Sequence, residues 1–449
     1  METQEKFMRT VRVRNATRLG TLGRLLTAVA ETGGDIGEMR LIQETSRYTT
    51  RDVTINTDDE AHMEQVLQAM ANNPGTQVLA VRDEVLEVHQ KGKIAMRSRF
   101  PVDSLAILRR VYTPGVAEVC LKIAKDPSLA RQYTAISNLV AIVTDGSAIL
   151  GLGDIGSVAG MPVMEGKSML LETLVGLSGV PILLDTQDPE RIIETVATIA
   201  PTFSAIQLED ISAPRCFEIE ERLQARLDIP VMHDDQHGTA VVATAALMNA
   251  SRLAKLDLGK AVIGQIGLGA AGNAVGRMLM RLTGNPVLGA DLSEEAVSRF
   301  VQAGGRASTL AEIMAEADVV IATTGVPGLI RPEMVRKGQV ILALSNPNPE
   351  ILPEVALKAG AAFAADGKSV NNVLGFPGIL RGAVDTHARR ISPEMYQAAA
   401  QTIADQTPPD ELVPNPMDKK VHCAVAQAVA RQAIQQGLAR SEDVPYVED

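Results

Sequence analysis

The chain has 449 residues, 46% of them hydrophobic and 22% charged, with a formal net charge of −11. That length suits roughly two to four domains of a soluble globular protein, the negative charge gives a nucleic-acid partner no electrostatic support, and no apolar run is long enough to span a bilayer. Cys120, Cys216 and Cys423 are scattered, with no CxxC pair, and read as reduced thiols; with no signal peptide recognisable, a cytoplasmic protein is expected.

Residues 7 to about 90 form a self-contained pattern. Met8–Val13 alternates as a strand, and residues 15–20 turn. Leu22, Leu25, Leu26 and Val29 recur at helical spacing until Gly33 and Gly34 stop them. Residues 36–43 and 51–57 read as a strand pair. Met63, Val66, Leu67 and Met70 mark a second helix, broken at Asn73-Pro74-Gly75, and residues 77–88 return as strand. The order βαββαβ is ferredoxin-like. The run NATRLGTLGRLLTAVAETGGDI resembles the ACT domain, which implies a regulatory module that pairs and binds an amino acid or similar effector. A packing or dimerisation module without ligand is the alternative.

Residues 89–93 are polar and read as a linker. Beyond them come Tyr112-Thr113-Pro114-Gly115-Val116-Ala117, a strand at 139–143, the Gly-rich turn Gly151/Gly153/Gly156, and Glu165-Gly166-Lys167-Ser168. Lys167 does not close a nucleotide-triphosphate loop, because Met161 stands where that loop needs glycine. As a lysine at a helix start it would oppose the helix dipole, which favours a functional role. Two short apolar runs then end in acids: 205–208 runs into Glu209-Asp210, and 229–232 into His233-Asp234-Asp235. A helical stretch that Ser212 can cap lies between them, so the unit reads βαβ with parallel strands. The acids fall at the carboxyl edge of a sheet, where open α/β folds bind ligands. Four carboxylates there suit a hard divalent cation, Mg²⁺ or Mn²⁺; solvated loop acids are the plain alternative. The His233/His237 spacing suggests a zinc helix, but the strand before His233 and the break expected at Gly238 argue against one.

Two GxGxxG matches compete for a dinucleotide. Gly267-Leu268-Gly269-Ala270-Ala271-Gly272 follows the strand 261–266 and opens a helix, and a second strand ends at Asp291. That is the full Rossmann context: glycines for the turn and for close approach to pyrophosphate, and an acid for the ribose hydroxyls. The carboxylate of Asp291 favours NAD over NADP. Strands at 318–323 and 339–344 follow, the second running into Ser345-Asn346-Pro347. Then come Asn371-Asn372 before Gly375-Phe376-Pro377-Gly378, a helix from Ser392-Pro393, a Pro-rich loop and a last helix over 421–436.

YTPGVA, TDGSAILGLGDIG, GKS, LEDI, HDDQHGTA, IGLGAAG, LSNP and NNVLGFPG occur in the order found in malic enzymes, so residues 94 to about 430 resemble that family. The resemblance implies an α/β chain of three parts: an ACT-like domain over 1–90, a substrate and metal domain over 91–236, and a Rossmann-type NAD(P)-binding domain with C-terminal helices over 237–449. It implies metal-dependent oxidative decarboxylation of (S)-malate to pyruvate and CO₂. Tyr112 becomes the proton donor and Lys167 the general base, with Asp234 beside it. Glu209, Asp210 and Asp235 become metal ligands, and Asn346, Asn371 and Asn372 meet substrate carboxylates. Where larger malic enzymes carry a malate-gripping arginine, this chain has Ala148. The partners expected are malate and pyruvate, an effector at the ACT-like segment and further copies of the chain. A malolactic-type lyase with bound NAD and a non-catalytic ACT-based binding protein remain as alternatives.

Overall fold

The computed structural model describes residues 7–442 except 150, 151 and 369. It divides into two compact units, Met1–Ala95 and Met96–Asp449.

The first unit runs β1 (Phe7–Ala16), α1 (Thr21–Glu31), β2 (Asp35–Glu44), β3 (Tyr48–Thr57), α2 (Glu60–Asn72), β4 (Thr76–Arg82) and α3 (Glu84–His89). Its antiparallel sheet has the order β2-β3-β1-β4, which is the ferredoxin-like arrangement. Val11, Val13, Val53 and Ile55 from the sheet pack on Leu25, Val29, Val66 and Met70 from the helices. The expected last strand ends early. The Asp83 carboxylate accepts the Leu86 N–H at 2.9 Å, and this cap turns residues 84–89 into a helix.

The second unit opens with α4 (Leu105–Val111), α5 (Gly115–Lys125) and α6 (Ala130–Tyr133), none of which buries a residue. Next come β5 (Leu139–Thr144), α7 (Met161–Val175), β6 (Ser178–Leu183), α8 (Pro189–Ile199), β7 (Ala205–Leu208), α9 (Arg215–Arg226), β8 (Val231–His233) and α10 (Asp234–Ala254). The strands form a parallel sheet of order β6-β5-β7-β8, in which Leu208 pairs with His233. Ser212 does not cap α9. Pro214 takes that place without a side-chain cap, and the Ser212 N–H donates to Ser147 Oγ.

The chain continues through β9 (Ile263–Ile266), α11 (Ala270–Thr283), β10 (Leu288–Ala290), α12 (Glu294–Gln302), β11 (Arg306–Ala307), α13 (Leu310–Glu316), β12 (Val319–Ala322), β13 (Val340–Ala343), α14 (Pro353–Ala359) and β14 (Phe363–Asp366). It closes with α15 (Phe376–Asp385), α16 (Pro393–Asp405) and α17 (Lys419–Gln435). The parallel sheet order β11-β10-β9-β12-β13-β14 is the doubly wound Rossmann order. The division expected at 236/237 falls inside α10. One core cluster joins Ile142 and Leu171 to Val241, Val275 and Phe376, so packing runs without a break across that point. Among the described residues no helix is long and apolar enough to cross a membrane.

Gly238 does not break α10, contrary to the reading from sequence. A glycine inside a helix costs about 1 kcal/mol against alanine, but a Cβ there would stand 2.0 Å from Asp234 Oδ1. The glycine lets the Asp234 carboxylate fold onto its own helix. The residues that follow, from Ala240 to Ala250, are nearly all buried and carry the helix through the core.

Candidate active site

The β7–β8 pairing places both acid pairs at the carboxyl edge of the smaller sheet. Glu209 and Asp210 leave β7, and Asp234 and Asp235 open the first turn of α10, where the helix dipole favours negative charge. Oxygen atoms of Glu209, Asp210 and Asp235 lie within 4.8 Å of one another. Asp210 sits at φ 55°, a left-handed conformation that costs a non-glycine residue about 1 kcal/mol or more. Two bonds hold it there. Its N–H donates to Asp235 Oδ2 at 2.9 Å, and its carbonyl accepts the Ala148 N–H at 3.0 Å.

Lys167 lies in the second turn of α7, buried, not at an exposed helix start. Its Nζ is 2.5 Å from Asp234 Oδ2 and 3.0 Å from Glu209 Oε1, and stands 4.6 Å above the Phe376 ring. Burial alone would lower its pKa; the charges of Asp234 and Glu209 outweigh burial and hold it above the ordinary lysine value. Burial pushes the Glu209 carboxyl well up, against the pull of Lys167, and raises Asp234 in the same way. Asp235 moves down in spite of burial, because His233 Nε2 lies 3.1 Å from its Oδ2.

Four carboxylates thus face one ammonium group. The donor set is all hard oxygen, and its uncompensated negative charge fits a divalent cation held by Glu209, Asp210 and Asp235. His233 and His237 do not converge on a metal: His237 Nε2 lies 3.0 Å from Glu220 Oε2, and His233 serves Asp235.

The structure gathers Lys167, Glu209, Asp210, Asp234, Asp235 and Asn372. The Asn372 amide donates to Asp234 Oδ2 at 2.6 Å. Three expected residues are not drawn into that cluster by any hydrogen bond among the described residues. Asn371 spends its Oδ1 capping Val373 N–H, Asn346 donates to the Gly367 carbonyl, and Tyr112 is 66% exposed at the end of α4. Sequence reasoning missed Gln207, whose amide donates to Glu209 Oε2 at 2.7 Å, and Glu220, which accepts the His233 N–H at 2.9 Å. A polar residue alternating with apolar ones inside a buried strand was the available signal for Gln207.

The coenzyme turn has the geometry its glycines require. Gly267 has φ 84°, and a Cβ there would meet the Thr323 carbonyl at 2.7 Å; one on Gly272 would meet the Gly267 carbonyl at 1.9 Å. Asp291 Oδ2 accepts the Leu268 N–H at 2.6 Å, and its Oδ1 accepts the Ser293 N–H at 2.8 Å. The rival glycine turn serves another purpose: a Cβ on Gly146 would stand 2.2 Å from Gly156, so the turn packs over the end of β5. Gly151 lies outside the described residues.

Comparison with known proteins matches the sequence profile "Malic enzyme, N-terminal domain" to residues 91–224 and "Malic enzyme, NAD binding domain" to residues 353–434. A Bacillus subtilis protein named NAD-dependent malic enzyme 1 is 57% identical over 430 residues, covering 95% of this chain and 98% of its own. The chain belongs to the malic enzyme family. Another B. subtilis relative, named a bifunctional malic/malolactic enzyme, is 42% identical over 81% of this chain and 95% of its own. The crystal structure of a malic enzyme from Pyrococcus horikoshii superposes with a TM-score of 0.76 at 40% identity, covering 80% of this chain and 92% of that one. Malic enzymes of both fold and sequence therefore frame the site described above.

Proposed function

We propose that this malic enzyme catalyses the oxidative decarboxylation of (S)-malate to pyruvate and CO₂ with reduction of NAD. The observation that carries the reading is Lys167, buried and held between Asp234 and Glu209 beside the three-carboxylate cluster. Glu209, Asp210 and Asp235 would hold Mg²⁺ or Mn²⁺, which would supply a Lewis acid for the charge that develops on the malate C2 oxygen. Lys167 takes the C2 hydroxyl proton. It can do so only when positive charge among the carboxylates offsets the pull that keeps it an ammonium. The turn Gly267–Gly272 would hold the pyrophosphate of NAD, whose nicotinamide would accept the malate C2 hydride; after CO₂ is lost, Tyr112 protonates C3. Asn372 orients Asp234 and, with Asn346 and Asn371, meets the substrate carboxylates.

Residues 1–90 act as an ACT-like regulatory module, and the catalytic chain works as a homo-oligomer in the cytoplasm. Exposed Leu105, Leu108, Val111 and Leu121 on the unburied helices α4 and α5 support the oligomer. NADH formation from malate with Mn²⁺ tests the main reading, and Asp235→Ala should lose most of it together with Mn²⁺ affinity. Full activity of Asp235→Ala at limiting Mn²⁺ would overturn the ligand assignment. The bifunctional relative keeps malolactic chemistry as a second reading; lactate without net NADH would favour it.

A further inference from the structure

A cavity of about 490 Å³ lies along the face of α10 that carries Gln236 and His237, between α9, α11, α12 and α16. Nothing assigned so far uses it. Three guanidinium groups line it: Arg277 and Arg281, one helical turn apart on α11, and Arg299 on α12. Arg277 has no ion pair or hydrogen bond among the described residues. Arg281 reaches Glu394 only at 3.9 Å, whereas Arg299 pairs with Glu295 at 2.8 Å. Of the acids lining the cavity, Glu220 is occupied by the His237, Gln236 and His233 N–H groups, which leaves Glu221 to oppose the cations.

A buried hydroxyl on the cavity wall points to a ligand independently of the arginines. Tyr396, 6% exposed, stacks on His237 with ring centroids 4.5 Å apart, and its hydroxyl has no hydrogen-bond partner. Asn273 Oδ1, on a residue 3% exposed, also lacks a partner; as an acceptor it calls for a hydroxyl on the ligand, not an anionic oxygen. Each unsatisfied group costs about 1–3 kcal/mol, and a ligand with anionic oxygens would accept from the phenol and the guanidinium groups together.

The same wall is connected to the carboxylate cluster. His237 Nε2 and Gln236 Nε2 meet Glu220 Oε2 at 3.0 and 2.9 Å; Gln236 Nε2 lies 3.1 Å from His233 Nδ1, and His233 Nε2 lies 3.1 Å from Asp235 Oδ2. We propose that this cavity is a second ligand site, taking a small polyanion with carboxylate or phosphate groups, and that its occupancy changes how firmly Asp235 holds the catalytic cation. The coupling rests on the assignment of Asp235 as a metal ligand; the binding does not.

The test uses the full chain. Without divalent metal, tricarballylate and glycerol 3-phosphate are titrated calorimetrically into the wild type and into Arg277→Gln/Arg281→Gln. At least one probe should bind once per chain, with affinity about tenfold weaker in the double variant, because charged partners are lost. The double variant should keep its unliganded kcat and malate KM. Binding of tricarballylate alone assigns carboxylates as the source, and of glycerol 3-phosphate alone assigns phosphates. Free Mn²⁺ measured by electron paramagnetic resonance should then show a several-fold change in Mn²⁺ affinity with probe bound, matched by the same factor in probe affinity with Mn²⁺ bound. If neither probe binds at millimolar concentration, or binding survives the double variant, the site is refuted. Binding that leaves Mn²⁺ affinity unchanged refutes the link to Asp235.

Discussion

Asn372 donates its side-chain amide to Asp234 Oδ2 at 2.6 Å across 138 residues of sequence. The same oxygen receives Lys167 at 2.5 Å. One carboxylate oxygen therefore ties the loop after the Rossmann strands to the helix that carries Lys167; on the proposed mechanism, a substrate group engaging Asn372 would be felt at Lys167.

On the proposed mechanism, Asp234 positions Lys167 and is not a metal ligand. Asp234→Asn keeps the volume but removes the charge that orients Lys167. The expected result is a fall in kcat of about 10²–10⁴, the range of general-base contributions, with Mn²⁺ affinity close to wild type. Loss of Mn²⁺ binding in Asp234→Asn would instead place Asp234 in the coordination shell.

Gly238→Ala probes the same contact from the other side. A Cβ would stand 2.0 Å from Asp234 Oδ1 and 3.5 Å from Asn372 Cβ. Overpacking of this kind costs about 1–3 kcal/mol, and the simplest relief is for Asp234 to swing away from Lys167. A lowered melting temperature should accompany a kcat loss larger than that of Gly259→Ala, where the nearest atom to the added Cβ is 3.4 Å away. Equal activity in the two variants would show that Asp234 need not hold its place.

What could be read beforehand follows from where the information lies. The acids at 209–210 and 234–235 were legible because each pair ends an apolar run, and parallel strands bring such ends to one edge. Asp291 was legible for the same reason. Gly238 misled because helix propensity is a weak prior, and the close approach of Asp234 overrides it. The early end of the last strand of the first unit was missed because it depends on one capping contact, from Asp83 to Leu86. Asn371 and Asn372 are neighbours of the same type; only the fold shows that one caps its own turn and the other reaches Asp234. Tyr396 against His237 left no periodic trace, since the pair is 159 residues apart in sequence (396 − 237) and joined only by tertiary packing.

Coenzyme choice should follow Asp291 and its exposed neighbour Leu292. A carboxylate at this strand end binds ribose hydroxyls and repels a 2′-phosphate, so kcat/KM should be higher with NAD than with NADP. Asp291→Ser/Leu292→Arg should move the ratio toward NADP. It should also lower kcat/KM with both coenzymes, because Asp291 Oδ2 pins the glycine turn through the Leu268 N–H. A ratio that does not move would show that the discriminating contact lies elsewhere.

In the first unit, Asp52 is buried in the sheet between Arg12, at 2.7 Å, and Arg82, at 2.6 Å. The Arg12 hydrogen bond, with the charges of both arginines, outweighs burial and holds the Asp52 carboxyl below its ordinary value. A depressed acid stabilises the fold above its unfolded pKa, about 3.9 for Asp, and that contribution is lost as pH falls through the lower folded value. Hydrogen-exchange protection of β1 and β3 should therefore drop below about pH 4 in the wild type. Asp52→Asn should be less protected at neutral pH and nearly flat across that window. A wild type as flat as the variant would mean the pairs contribute nothing.

The last expectation concerns the first unit as a whole. Every residue given a catalytic, metal or coenzyme role lies beyond residue 100, while Met1–Ala95 is a compact unit with its own core. At this size such a core is marginal alone, which favours pairing between copies. The turn before α1 leaves Gly20 at φ 81° as the N-cap, with no side chain capping the helix. The Thr21 N–H donates to the Arg18 carbonyl at 3.2 Å; under the proposed regulatory role, the next N–H groups of the first turn would receive an effector carboxylate. An effector bound there acts only through a coupling free energy between this unit and the catalytic one, typically ~1–3 kcal/mol or about 5- to 150-fold in affinity. A chain beginning at Met96 should accordingly keep malate oxidation and lose its response to effectors. The measurement is NADH formation by both chains against a panel of amino acids, acetyl-CoA and central-pathway acids. If the shortened chain is folded yet inactive, or if both chains respond alike to every compound, the unit serves the catalytic fold and does not regulate it.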